Sequence, residues 1–391
     1  MRFKPGHPPL MNARGLTFFL LHAASVSAYA QTAEVATSVR DTIQSYVDRG
    51  AIAGAVALAA HDGKITVLEA VGWQDLAART PMRPTTIFQL RSMTKTLTAI
   101  AVMRLVDGGQ IELDDPVAEY IAEFAGSPIT IRELLSHTSG IPAEIPSSMR
   151  GRVAPPRSLA DYAAIVAQLD RDEAGRFLYS DQNYYLLGRV IEVASGEPYE
   201  AFVQRSVFDP LGMKDSFVLP RADAWDRVAS TYELSEGALR KSSFYDVSTM
   251  QWLHGSYPRP SWSMFSTASD VFALYQMLLN GGVYQGERVL SPESVRLMTR
   301  PHASHIGSLL GSVGYGFGLN VTESPDGALW PQTVGSYGHG GLLGTVAWAD
   351  PQLQLIRVYL VSLAPRSERE AFLREDRAVV MTLLRQAAPI H

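Results

Sequence analysis

No cysteine occurs anywhere in this chain, which excludes disulfides and a lipid-modified N-terminal cysteine. Positive charge is in short supply too. The formal net charge of −5 provides no basic field for a phosphate backbone, so nucleic acid is not an expected partner. Lysine is confined to Lys4, Lys64, Lys95, Lys214 and Lys241, and any one of them beside a nucleophile therefore carries weight. The Gly-x-Ser-x-Gly elbow of α/β-hydrolases is absent, which argues against a Ser-His-Asp arrangement. Internal repeats and low-complexity tracts are missing as well. The apolar stretch 16–28 is shorter than the roughly 20 residues that cross a bilayer. It follows Arg14 and ends in Ala28-Tyr29-Ala30, the layout of a secretory signal peptide over 1–30, cut after Ala30. A periplasmic or secreted protein without a stable membrane anchor is the resulting expectation.

What remains is an ordinary globular composition, 46% hydrophobic and 19% charged over 391 residues, enough for two subdomains sharing a cleft. Apolar spacing predicts a helix over 35–48, then a hairpin over 53–71 that turns at His61-Asp62-Gly63. A helix over 94–106 stops at Gly108-Gly109. Helical segments at 130–135, 159–169 and 184–194, separated by Pro- and Gly-containing loops, mark a mainly helical insert over 111–264. Helices follow at 268–279, started by Thr267 or Ser266, and at 292–298. Strands are expected at 315–321, 345–348 and 355–363, with a turn at Asp350-Pro351 and a closing helix over 369–387. The fold class that results is α+β. An antiparallel β-sheet flanked by N- and C-terminal helices, built from 31–110 and 265–391, carries the helical subdomain.

A serine hydroxyl is a weak nucleophile and needs a base within hydrogen-bond reach, plus donors for the oxyanion. Ser92-Met93-Thr94-Lys95 offers the first requirement, because positions i and i+3 of a helix project from one face. The helix N-terminus adds partial positive charge that favours a lowered lysine pKa and a developing alkoxide. Taken alone, the pattern reads equally as a helix cap and a solvated lysine.

The surroundings change that balance. Phe88-Gln89-Leu90-Arg91-Ser92-Met93-Thr94-Lys95 resembles the first motif of the serine β-lactamase and penicillin-binding superfamily, in its class C β-lactamase-like branch. Leu134 to Ile141, Tyr179-Ser180-Asp181-Gln182-Asn183-Tyr184 and His339-Gly340-Gly341 follow in the family's order, and the resemblance spans about 35–384. It implies a β-lactamase/transpeptidase-like fold, acylation at Ser92, and proton transfer shared by Lys95 and Tyr179. It also implies an oxyanion hole from the backbone N–H groups of Ser92 and Leu342, a strand His339-Gly340-Gly341 along which substrate lies, and no cofactor or metal.

Two departures bear on substrate. Asp181 stands where the β-lactamases carry asparagine, and an ionised carboxylate cannot donate to a β-lactam side-chain carbonyl. Asp181 also favours the charged form of Lys95, which moves the role of general base toward Tyr179. His339 replaces a lysine and removes a permanent cation. Lys241-Ser242-Ser243 is no substitute, since no glycine follows. Both changes point to neutral esters and to a resemblance with family VIII carboxylesterases, which act on short-chain acyl esters. The alternatives are a D-amino-acid peptidase or β-lactamase, and a weakly catalytic peptidoglycan-sensing module. His137 is expected to be structural, and His302-Ala303-Ser304-His305 to be a surface loop rather than a metal site. Trp252, Tyr257, Trp262 and Phe265 are candidates to wall an acyl pocket or to pack the core, and Trp348 to pack.

Overall fold

A computed structural model of the chain describes residues 13–146, 149, 155–245, 257–308, 310–364 and 369–388, without the side chains of 13–30, 305–310 and 369–374. The first helix, α1, runs Ala13–Asp48, longer than the predicted 35–48. The expected leader thus falls partly on 1–12, outside the described residues, and partly on this helix. Strands β1 (Gly54–His61) and β2 (Lys64–Asp75) form the predicted hairpin, and Asp62 and Gly63 take φ of +48° and +74° in its turn. A short β3 (Thr80–Pro81) follows. Next come β4 (Phe88–Gln89) and α2 (Thr94–Asp107).

The middle of the chain contains α3 (Ile131–Leu135), α4 (Leu159–Val166) and α5 (Asp181–Ser195). Capping explains their starts: Thr130 closes a capping box with Glu133, and Ser158 accepts from the Asp161 N–H. The region expected to be mainly helical also contains strands. The hairpin β5 (Tyr232–Ser235) and β6 (Ala238–Lys241) interrupts it, with Glu236 and Gly237 at positive φ in the turn. Strand β7 (Phe265–Ser266) then pairs with β4. Helix α6 (Ala268–Leu279) starts at the predicted Thr267 cap. After β8 (Val283–Tyr284) and β9 (Glu287–Arg288) comes α7 (Pro292–Met298).

The last part of the chain supplies β10 (Ala303–Ser308), β11 (Leu310–Tyr315), β12 (Asn320–Ala328), β13 (Tyr337–Gly340), β14 (Val346–Asp350), β15 (Leu355–Val361) and α8 (Arg369–Arg385). Two predictions are corrected here. The surface loop expected at 302–305 is largely the edge strand β10, and the strand expected over 315–321 is split by a turn. Gly316 and Gly318 cause the split: a Cβ on Gly316 would lie 2.1 Å from the Met298 carbonyl oxygen, and one on Gly318 2.6 Å from that of Lys95. The chain bends there against α7 and α2 instead of continuing as a strand.

Nine strands form one sheet in the order β10-β11-β12-β13-β14-β15-β1-β2-β3, paired antiparallel throughout. Its central strands are buried on both faces, and alternation sorts their side chains. Ala55, Ala57 and Ala59 of β1, with Tyr359 and Val361 of β15, join Val35, Val39 and Ile43 of α1 and Val380, Met381 and Leu384 of α8 in one core. Val56 and Leu58, with Ile356, Val358 and Leu360, join α2, α5 and α6 in the other. The architecture is therefore the expected α+β sheet with both terminal helices on one face.

Candidate active site

Ser92 sits in a 3₁₀ turn, Arg91–Met93, that leads into α2. The segment before it is pinned from two sides: the Leu90 N–H donates to the Met264 carbonyl (2.9 Å), and the Thr345 hydroxyl donates to the Leu90 carbonyl (3.3 Å). Arg91 holds the left-handed conformation, φ +52°, a strained arrangement for a residue with a side chain. Helix α2 is a buried helix whose threonines satisfy their hydroxyls on main-chain carbonyls. Thr94 donates to Arg91, Thr96 to Gly318 and Thr98 to Pro260, all within 2.7 Å.

Lys95 is fully buried. Its Nζ donates to Asp181 Oδ1 at 2.6 Å and to the Ser261 carbonyl at 3.2 Å. It also lies 4.7 Å from the Tyr179 ring centre and 5.7 Å from that of Tyr184. Burial alone pushes the ammonium down, but the opposing interactions with Tyr179 and Asp181 outweigh it and raise the pKa above 10.5. The lysine is thus held as a cation.

Tyr179 and Asp181 straddle the start of α5. Ser180, between them, donates its hydroxyl to the Pro142 carbonyl at 2.7 Å. His137, itself at φ +58°, is buried behind them. Its Nδ1 accepts from the Ser180 N–H (3.2 Å) and the Asn183 side-chain amide (3.1 Å), and its ring centre lies 4.5 Å from that of Tyr179. Asn183 is oriented in turn by the Ser139 hydroxyl, which donates to its Oδ1 at 2.8 Å. His137 thereby shapes the loop that presents Tyr179.

The third motif lies on β13. His339 is buried, donates from Nδ1 to the Gly340 carbonyl (2.7 Å) and accepts the Tyr315 hydroxyl at Nε2 (3.3 Å). Burial, with the nearby Lys95 charge, pushes its pKa down to about 4, so it is a neutral imidazole at physiological pH. At Gly341 there is no space for a side chain: a Cβ would meet the Thr345 hydroxyl oxygen at 2.2 Å and the Leu90 carbonyl oxygen at 2.3 Å. The chain just past β13 and the turn that carries Ser92 therefore approach each other closely. Leu342 follows, 45% exposed.

A cleft of about 320 Å³ opens over these groups, lined by Arg91, Ser92, Asp181, Phe244, Tyr245, Arg259, Trp262 and Leu342. The structure thus brings Ser92, Lys95, Tyr179, Asp181 and Leu342 to one place, with His339 and Gly340 on the adjoining strand and Gly341 just past its end. Sequence reading missed four members of the wall: Arg91, Phe244, Tyr245 and Arg259. Arg91 stands inside the first motif as a cation beside Ser92, which is a usable signal. Its guanidinium lies 4.7 Å from the Tyr245 ring centre and 5.0 Å from that of Trp262, and burial pushes its pKa down to about 10, so it stays charged. Phe244, Tyr245 and Arg259 carry no sequence signal of that kind.

Other candidates lie elsewhere. Trp262 does line the cleft, whereas Phe265 stacks on Phe217 in a small core at 5.0 Å. Tyr257 is buried under Arg259, and Trp252 is outside the described residues. Trp348 is buried and donates to the Ser336 hydroxyl at 3.1 Å. Lys241 pairs with Asp75 at 3.1 Å. His302 stacks on Phe317 at 4.0 Å, and its Nε2 is 2.8 Å from the Leu297 carbonyl. Among the described residues no cluster of three or more metal-ligating side chains occurs, and no helix is long and apolar enough to cross a membrane.

Comparison with known proteins places this geometry in context. The family model described as Beta-lactamase matches residues 39–381. Esterase EstB of Burkholderia gladioli is 31% identical over 350 residues, covering 80% of this chain and 86% of its own. A putative D-alanyl-D-alanine carboxypeptidase of Escherichia coli O157:H7 is 30% identical over 322 residues, covering 73% and 71%. Among solved structures, EstCE1, described as a hydrolase with promiscuous acyltransferase activity, superposes with a TM-score of 0.78 at 26% identity, over 92% of this chain and 99% of that one.

Proposed function

The chain belongs to the Beta-lactamase family and is a serine hydrolase, and from that premise we propose that it is a carboxylesterase acting on short-chain esters through an acyl-enzyme at Ser92. The observation that carries the ester reading is the state of the third motif. His339 is buried and neutral, so β13 presents no cation for the C-terminal carboxylate of a peptide or the carboxylate of a β-lactam. The names of EstB and EstCE1 support the same direction.

In this reading the Ser92 oxygen attacks the ester carbonyl carbon. Tyr179 acts in its phenolate form, whose negative charge the adjoining Lys95 ammonium offsets, and it takes the Ser92 proton to become a neutral phenol. Lys95 remains a cation because Asp181 pairs with it at 2.6 Å, so it acts as an electrostatic partner and Tyr179 moves the proton. The backbone N–H groups of Ser92 and Leu342 stabilise the tetrahedral oxyanion. Collapse breaks the carbonyl carbon–oxygen bond, and the leaving alcohol takes the proton back from Tyr179. Water then repeats the sequence on the acyl-Ser92 ester, releasing the acid.

Purified protein assayed on p-nitrophenyl butyrate, a chromogenic cephalosporin and a D-alanyl amide tests the proposal. Turnover of the butyrate should exceed that of the other two, and Ser92→Ala should lower it by about 10⁴-fold or more. Wild-type turnover in that variant would overturn the assignment. A D-amino-acid peptidase is the second reading, favoured by the carboxypeptidase relative, and preferential cleavage of the D-alanyl amide would select it. Export is proposed alongside, with cleavage after Ala30. The described core anchors of α1, Val35, Val39, Ile43 and Tyr46, all lie beyond that point, so removal of the leader would leave them in place. N-terminal sequencing of protein from its native cell decides this, and an intact leader would refute it.

A further inference from the structure

The cleft holds a cation that the reaction above does not use. Arg259 lines the same space as Ser92 and Leu342, and no carboxylate of the described residues pairs with it. Its contacts are the faces of Tyr257, 3.9 Å away, and Trp262, 5.7 Å away, and a hydrogen bond to the Tyr257 carbonyl. A guanidinium carries five N–H donors in a planar fork, and this one spends few of them within the protein. Aromatic stacking fixes its plane, which is the preorganisation that two-point recognition of a carboxylate requires.

The rest of the cleft tells where such a carboxylate would sit on a substrate. At the inner end Asp181 cancels the Lys95 charge, His339 is neutral, and the buried Arg91 guanidinium is engaged with the Tyr245 and Trp262 rings, which leaves the less buried Arg259 as the cation best placed to meet an acid group. Tyr179, which returns the proton to the leaving alcohol, is not among the residues lining this cleft. The alcohol therefore departs on the Tyr179 side, and the cleft receives the acyl chain. We propose that Arg259 recognises a carboxylate at the far end of that chain, making monoesters of dicarboxylic acids the preferred substrate class. This rests on the esterase reading and sharpens it, from short esters that need no cation at β13 to acyl groups that carry their own anion outward.

The test compares monomethyl adipate with its terminal-amide analogue, an isostere without the charge, by methanol release from the purified protein. Wild type should prefer the carboxylate by about tenfold in kcat/KM, the size of one charge-assisted contact, and the preference should shrink as salt is added. Arg259→Gln should erase the preference and Arg259→Lys should keep part of it. Equal use of the two esters by wild type overturns the inference even if the glutamine variant does not fold, and so does a preference that survives in Arg259→Gln. If p-nitrophenyl butyrate is hydrolysed while the pair is not distinguished, only this inference falls. If no ester is hydrolysed, the esterase reading falls and takes the inference with it.

Discussion

Two buried bases stand at this site, one on each side of the cleft, and they end in opposite charge states. Lys95 in α2 and His339 in β13 are both removed from water, and for both the first effect of burial is to disfavour the cation. At Lys95 that effect is overcome by Asp181 at 2.6 Å and by Tyr179. At His339 no carboxylate of the described residues forms a hydrogen bond or ion pair, the Lys95 charge adds to the penalty, and the imidazole binds its neighbours as a neutral donor and acceptor. Burial does not determine charge in either place; the partner does. The consequence is a site in which the buried Lys95 of α2 is held as a cation while the buried His339 of β13 is uncharged.

Removing the cation should have the largest effect. Lys95→Met leaves Asp181 without its partner and Tyr179 without the charge that offsets its own, and ester kcat/KM should fall by about 10³-fold. A variant within tenfold of wild type would mean that Tyr179 works unaided. The pH dependence of folding comes next. Because the folded pKa of His339 lies below its ordinary value of 6.5, at about 4, its contribution is fully present above pH 6.5 and is lost as pH falls toward 4. The difference corresponds to about 3 kcal/mol. Lys95 runs the other way: its raised pKa stabilises the fold below 10.5 and ceases to do so as pH rises past the folded value. Denaturant titrations should therefore show stability declining from pH 6.5 to 4, and His339→Gln, which can keep both hydrogen bonds, should flatten that decline. An unchanged slope would place the protonation elsewhere.

The smallest effect concerns discrimination. Asp181→Asn supplies an amide donor where a carboxylate can only accept, and the ratio of cephalosporin to ester turnover should rise by about tenfold. The same change takes the counter-charge from Lys95, so the alkaline limb of the ester pH profile should move to lower pH. No change in the ratio would count against the donor argument.

Much of this was legible in the sequence because local signals and tertiary demands agreed. Helix α6 is bounded by its Thr267 cap and by Gly281-Gly282, and the β1–β2 turn by Asp62-Gly63. The four ordered motifs single out Ser92, Lys95, Tyr179, Asp181 and His339 from the sequence alone. The failures have a common cause. Gly316-Phe317-Gly318 looks like part of a strand, and only the proximity of the Met298 and Lys95 carbonyls bends it. The β5–β6 hairpin and β10 have mixed polar sequences that become strands only by pairing with neighbours. The cleft wall is the same kind of case, since nothing near Arg259 in sequence announces that Ser92 lies across from it.

The close approach of Gly341 to the Leu90 carbonyl has a longer-range meaning. The gap in which an ester carbonyl would be gripped is bounded by main chain on both sides, so its width is independent of which side chains furnish the walls. Substitutions at Phe244, Tyr245, Arg259 or Trp262 can then redirect the enzyme toward new acyl groups while the grip stays as it is. A scaffold arranged like this can diversify its diet by point mutation without first relearning its chemistry.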